Sequence, residues 1–170
     1  MRTLLLFSVA PLLVVGVMSG CCSSTVTTIM FVRHGERLNN TDTTSLSLPG
    51  LQRATTLRHV LDSTNISAIF VTEKRRTQQT AQPTATAHTL TPIEIPEAET
   101  DRLVDSLRSR LGQTMLVVGH SNTVPQVIGL LGISPTPSIG GTEFDKLFIL
   151  SMRSQGGTRL TKLQYGVSSP

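Results

Sequence analysis

The chain is predicted to be an α/β protein, a three-layer α/β/α sandwich with a mainly parallel sheet, on three observations. Runs of apolar and β-branched residues at 28–32, 66–71 and 115–118 have the length and composition of buried strands. Between them lie stretches in which apolar residues recur every three or four positions, the period of a helix packed on one face. Strands that alternate with helices in this way are joined by crossovers, which keep the strands parallel and cover both faces of the sheet.

Composition agrees with one globular domain. The chain has 170 residues, of which 38% are hydrophobic, 15% charged and 4% aromatic, with no Trp, so its core must be aliphatic. The formal net charge of +4 is carried by scattered arginines, not by a basic run interleaved with aromatic residues. Nucleic acid is therefore not the expected partner, and small phosphorylated molecules suit the charge better.

Residues 1–20 are expected to be a signal peptide: Arg2 supplies a positive start, residues 4–17 an apolar segment interrupted by Ser8 and Pro11, and Met18-Ser19-Gly20 a cleavage site. The segment is shorter than the ~20 apolar residues of a spanning helix and has no basic flank on its far side. Met18-Ser19-Gly20-Cys21 resembles the bacterial lipobox, which implies a lipid on Cys21. Cys21 and its neighbour Cys22 are the only cysteines, so the domain is expected to hold no disulfide and no cysteine-ligated zinc. The plan is a signal over 1–20, a tether over 21–26 and one domain over 27–170. The expected location is the cell envelope, with the protein held at the membrane by its N-terminal lipid.

The domain's first strand, at 28–32, ends abruptly in Arg33-His34-Gly35-Glu36. A polar loop over 37–45 leads to a helix with Pro49 in its first turn and Ser47 as its cap; Leu51, Ala54, Leu57, Arg58 and Leu61 mark one face. The second strand, 66–71, ends at Thr72 and again delivers charge, as Glu73-Lys74-Arg75-Arg76, to the start of a helix that Pro83 is expected to bend or end. A short edge strand at 91–95, interrupted by Pro92, precedes the acidic stretch 97–101. Leu103, Val104, Leu107 and Leu111 then have helical spacing, with Gly112 as the stop. The strand at 115–118 ends in Gly119-His120, and Ser121 or Asn122 is expected to cap a helix over 124–131. After a Pro- and Gly-rich loop at 132–141, strands at 146–152 and 158–165, joined by Gln155-Gly156-Gly157, are expected to form a hairpin.

In a parallel sheet the ends carrying Arg33-His34, Arg75-Arg76 and His120 all lie at one edge, where open α/β sheets bind ligands. Two imidazoles and at least two guanidiniums beside helix N-termini make an electropositive pocket suited to a phosphoryl group. A histidine among arginines is held neutral, with a nitrogen lone pair free to attack phosphorus, so His34 is a candidate nucleophile.

Phe31-Val32-Arg33-His34-Gly35-Glu36 is similar to the RHG signature of the histidine phosphatase superfamily, which includes phosphohistidine phosphatases and cofactor-dependent phosphoglycerate mutases. Three further segments resemble that family in the same order: 46–54, where Leu46-Ser47 leads to Gly50 and Arg53-Ala54; 72–81, where Arg76 precedes Gln79-Thr80-Ala81; and Val117-Val118-Gly119-His120-Ser121. The resemblance implies a phosphoglycerate mutase-like fold and selects Arg76 over Arg75. It also implies a phosphohistidine on His34, with Arg33, Arg76 and His120 binding the phosphate. A general acid is implied as well; Glu99 is ranked first by its place in the order, with Glu97 and Asp101 as alternatives. Glu36 and Glu143 are expected to be structural or rim residues, and His59 and His88 surface residues. No metal and no cofactor are implied.

The compact chain looks most like the small phosphohistidine phosphatase type. A phosphoprotein, a sugar phosphate or a phosphorylated envelope glycan would all be suitable substrates. The alternative is a non-catalytic, lipid-anchored binding protein for phosphorylated ligands.

Overall fold

The computed structural model describes residues 25–169, so the expected signal peptide, Cys21 and the first part of the expected tether lie outside the described residues. Ten elements follow in order: β1 (Val26–Arg33), α1 (Leu48–Leu61), β2 (Ile66–Val71), α2 (Arg75–Ala87), β3 (Ile93–Glu94), α3 (Thr100–Arg108), β4 (Thr114–Gly119), α4 (Thr123–Leu130), β5 (Lys146–Arg153) and β6 (Thr158–Gln164). They form one six-stranded sheet in the order β3-β2-β4-β1-β5-β6. β1 to β4 are parallel, and the hairpin β5–β6 is added antiparallel at the β1 side. The first strand takes in Val26, the last residue of the expected tether.

Alternating side chains on the central strands divide the core into two layers. Ile29, Phe31, Phe70, Met115 and Val117 face α3 and α4 through Val104, Leu107, Val124, Val127 and Ile128. Met30, Val32, Ile69, Leu116 and Val118 face α1 and α2 through Leu57, Leu61, Ala81 and Ala85. Both faces of the parallel strands are thus covered, which is why these strands are continuous apolar runs. Burying one such Leu or Ile side chain contributes about 1.5–3 kcal/mol.

Several local expectations are corrected. The buried face of α1 carries Gly50, Arg53, Ala54, Leu57 and Leu61, whereas Leu51 is 45% exposed and Arg58 half-exposed. Ser47 caps this helix as expected, accepting from the Gly50 amide at 3.3 Å. Pro83 does not end α2, which continues to Ala87 because Thr80, Ala81, Thr84 and Ala85 are buried along its flank. Packing here outweighs the lost amide. α3 stops at Arg108, and Leu111 lies beyond it, 64% exposed, ahead of Gly112 at φ 74°. Asn122 occupies the cap position of α4, but its side chain makes no capping bond; Thr123 Oγ1 instead accepts from the His120 amide at 3.1 Å. The edge strand shrinks to Ile93–Glu94, because prolines at 92 and 96 have no amide to give to a ladder.

Candidate active site

The parallel register brings the ends of β1 and β4 together: Arg33 lies opposite Gly119, and the His34 amide donates to the Gly119 carbonyl at 3.0 Å. The turn that follows is closely packed. A Cβ on Gly35 would stand 2.9 Å from the Gly50 carbonyl oxygen, so the glycine lets the first turn of α1 approach the end of β1. From the other side Thr80 of α2 accepts from the Gly35 amide at 2.9 Å and donates to the Arg76 carbonyl at 2.7 Å. Thr80 was not singled out from the sequence; its only signal was its place beside Gln79 in the third resembling segment.

His34 is buried, and its Nδ1 lies 2.7 Å from the Gly35 carbonyl. A carbonyl can only accept, so Nδ1 carries the proton and Nε2 keeps its lone pair. Burial lowers the His34 pKa to about 3, with His120, Arg33 and Arg76 acting in the same direction and the Gly35 carbonyl opposing them. The imidazole is therefore neutral at physiological pH.

His120 stands edge-on to it, with ring centroids 5.3 Å apart. Its Nε2 is 3.1 Å from Thr72 Oγ1 and 3.6 Å from Glu97 Oε2. Burial lowers its pKa to about 4; the Glu97 carboxylate is the strongest opposing influence, and Arg76 pushes it down further.

Both expected arginines are buried. Arg33 Nη1 donates to the carbonyls of Gly140, Gly141 and Glu143 at 2.8, 2.9 and 3.0 Å, and its guanidinium lies 4.0 Å from the centre of the Phe144 ring. Desolvation, followed by Arg37 and Arg76, lowers its pKa to about 10. Arg76 Nη1 donates to the Asp42 carbonyl at 3.1 Å, while Arg75 is exposed. The Nε of Arg33 and that of Arg76 have no hydrogen-bond partner among the described residues. Two orphaned cationic donors are costly unless an anion completes them, which is what a phosphate oxygen would do.

The carboxylates separate clearly. Glu97 is beside His120, its Oε1 accepting from Asn122 at 3.4 Å and its amide donating to Glu73 at 2.8 Å. Glu99 is not brought to the histidines: its carboxylate is exposed and paired with Arg102 at 2.8 Å. Asp101 is exposed in the first turn of α3. Glu143 closes its own loop by accepting from the Gly140 amide at 2.7 Å. Glu36 forms a two-pronged pair with Arg53, whose Nε lies 3.0 Å from both carboxylate oxygens and whose Nη2 lies 2.7 Å from Oε1. His59 is exposed and His88 half-buried at the end of α2. Among the described residues, no group of three His, Cys, Asp or Glu could hold a metal ion.

Residues 29–101 match the family model of the histidine phosphatase superfamily, branch 1, over the segment that holds the RHG turn and Arg76. Over residues 29–101 the chain resembles that superfamily. No curated protein matches it in sequence. Among solved structures it is similar to the protein histidine phosphatase SixA complexed with tungstate, at 16% identity over 81% of this chain and 96% of that one, with a TM-score of 0.65. An alpha-ribazole phosphatase from Shigella flexneri gives 18% identity over 83% and 99% of the two chains, with a TM-score of 0.65. A mycobacterial glucosyl-3-phosphoglycerate phosphatase gives 13% identity over 83% and 100%, with a TM-score of 0.66. At these identities the likeness shows the fold, that of the phosphoglycerate mutase-like histidine phosphatases. The match over residues 29–101 supports a phosphatase enzyme.

Proposed function

We propose that the protein is a histidine phosphatase that hydrolyses small phosphomonoesters through a phosphohistidine on His34. The observation that carries the proposal is a neutral His34, with Nδ1 bound to the Gly35 carbonyl, beside two buried arginines that each keep an unpartnered Nε. In the first step the Nε2 lone pair forms a bond to phosphorus as the bond to the leaving oxygen breaks. Arg33, Arg76 and His120 hold the equatorial oxygens and stabilise the charge that develops there. A general acid gives its proton to the leaving oxygen, then takes one from the water that attacks phosphorus and frees His34. We assign that role to Glu97 in place of Glu99, because the Glu97 carboxylate is 3.6 Å from His120 whereas that of Glu99 is engaged by Arg102.

The substrate is proposed to be small and phosphorylated, and the site to lie in the cell envelope, with the protein tethered through a lipid on Cys21. The sequence from Arg2 to Cys21 supports the location; no helix among the described residues is long and apolar enough to cross a membrane. Hydrolysis of an aryl phosphate by the purified protein, lost in His34→Ala, tests the chemistry. Retained hydrolysis in that variant would contradict it. Incorporation of a labelled fatty acid that disappears in Cys21→Ser tests the tether.

A further inference from the structure

Beyond β6 the chain turns back to the catalytic edge instead of ending on the exposed hairpin. Tyr165 is buried, and its amide donates to the Asp145 carbonyl at 2.9 Å. The tail then makes two polar connections: one ends on Glu36, two residues from His34, and the other on Phe144, whose ring lies against Arg33.

The first runs through Arg53. This guanidinium donates to the Tyr165 carbonyl at 3.1 Å and the Val167 carbonyl at 2.9 Å, while its remaining edge holds the Glu36 carboxylate. The Glu36 carbonyl in turn accepts from the Ser47 amide at 2.8 Å and from the Ser47 hydroxyl at 3.2 Å. The residue after Gly35 is therefore fixed by both its backbone and its side chain. Gly166, at φ 71°, carries the tail past Arg53, and a Cβ there would stand 3.3 Å from Arg53 Nη1.

The second connection runs through Ser169. Its Oγ accepts from the Phe144 amide at 2.8 Å, and its amide donates to Asp145 Oδ2 at 3.4 Å. Phe144 is the residue whose ring lies under the Arg33 guanidinium and whose centroid is 6.0 Å from that of His34. The carbonyls that accept from Arg33 belong to residues 140, 141 and 143 of the same loop.

We propose that Arg53 and Ser169 are positioning residues for the phosphatase reaction, bracing the His34 turn and the Arg33 cradle through the C-terminal segment 165–169. Three donations from Nη1 and a ring beneath the guanidinium leave Arg33 one orientation, with Nε free for a phosphate oxygen. A shift of that cradle misplaces the charge that should meet the developing oxyanion. The inference rests on the phosphatase reading above, and the test separates the two.

The test uses the full chain with Ser169→Ala, Ser169→Thr and Arg53→Lys, each confirmed folded by its melting temperature. Aryl phosphate turnover, tungstate affinity by calorimetry and the imidazole 15N signals of His34 are read for each. Ser169→Ala should lose about tenfold in both kcat and tungstate affinity while its melting temperature stays near that of the unmutated chain. Ser169→Thr keeps the hydroxyl and should restore both. Arg53→Lys keeps the charge but not the fork, and it should shift the His34 signals and lower kcat more than it raises KM.

Turnover, tungstate affinity and His34 signals that match the unmutated protein in both Ser169→Ala and Arg53→Lys would overturn the brace, even if melting temperatures fell. If the unmutated protein neither binds tungstate nor turns over, the phosphatase reading fails instead. The brace is then judged by the His34 signals alone, and it is overturned if they do not move.

Discussion

The two halves of the catalytic edge are held by different means. On the β1 side, His34 is held by the Gly35 carbonyl at 2.7 Å and Arg33 by three carbonyls of the 140–143 loop, with the Glu36–Arg53 pair and the segment 165–169 behind them, so each group has several short tethers. On the other side, Arg76 leans on the carbonyl of Asp42, a residue whose side chain is 83% exposed, and His120 meets Glu97 at 3.6 Å across a looser contact. The difference indicates a division of labour. The proposed nucleophile and its neighbouring clamp are held by more and shorter contacts, whereas Arg76 and Glu97 have fewer and are the side expected to adjust to different substrates.

The sharpest way to break that contrast is to remove each arginine in turn. Arg33→Ala and Arg76→Ala should each lower kcat/KM by about 10²–10³-fold, the usual cost of one oxyanion donor, with Arg33→Ala at the upper end because its orientation is already fixed in the free protein. Steady-state kinetics on an aryl phosphate decides this. Equal losses, or a larger one at Arg76, would remove the asymmetry.

Next in size are the carboxylates. Glu97→Gln should lower kcat by about 10²-fold, most steeply for substrates with poor leaving groups, while Glu99→Gln should leave kcat close to that of the unmutated protein. A comparison of aryl and alkyl phosphates in the two variants reads the result. A large loss in Glu99→Gln would return the acid role to that residue.

The smallest effect concerns stability. Burial lowers the His34 pKa to about 3 and the His120 pKa to about 4, from an ordinary 6.5, so between those limits the unfolded chain binds protons that the native one does not. Their contribution is fully present above pH 6.5 and is lost as pH falls toward the folded-state values. Urea midpoints should thus be level for this contribution above pH 6.5 and decline below it. The decline should be shallower in His120→Asn than in the unmutated protein. An unchanged slope would mean that the imidazole is not held neutral by its surroundings.

The layer plan and the ligand edge were legible in the sequence because both depend on local signals. Strands buried on two faces are unbroken apolar runs; β1 ends on Arg33, β4 is followed by His120, and β2 leads through the turn at 72–74 to Arg76 in α2. The α2 helix was harder to see because it buries Thr77, Thr80 and Thr84, which an apolar period does not register, and so Pro83 looked like an interruption. The buried Arg53 was hidden for a different reason. Its partners Glu36, Tyr165 and Val167 are 17, 112 and 114 residues away, and no local pattern marks a counter-ion 17 residues back or carbonyls supplied by the far end of the chain. The choice between Glu97 and Glu99 turns on how the loop enters α3, which aims one carboxylate at His120 and leaves the other to Arg102. Two acids two residues apart cannot be ranked before that loop is seen.

The central claim is that His34 becomes covalently phosphorylated during turnover. The most direct measurement mixes the protein with a labelled phosphomonoester, quenches into alkali, where a phosphohistidine survives, and maps the label by peptide mass spectrometry. The account predicts label on the peptide that contains His34, accumulating further in Glu97→Gln if hydrolysis of the intermediate is slowed, and absent in His34→Ala. Turnover in the unmutated protein with the label on another residue, or with no covalent intermediate at any quench time, would contradict it.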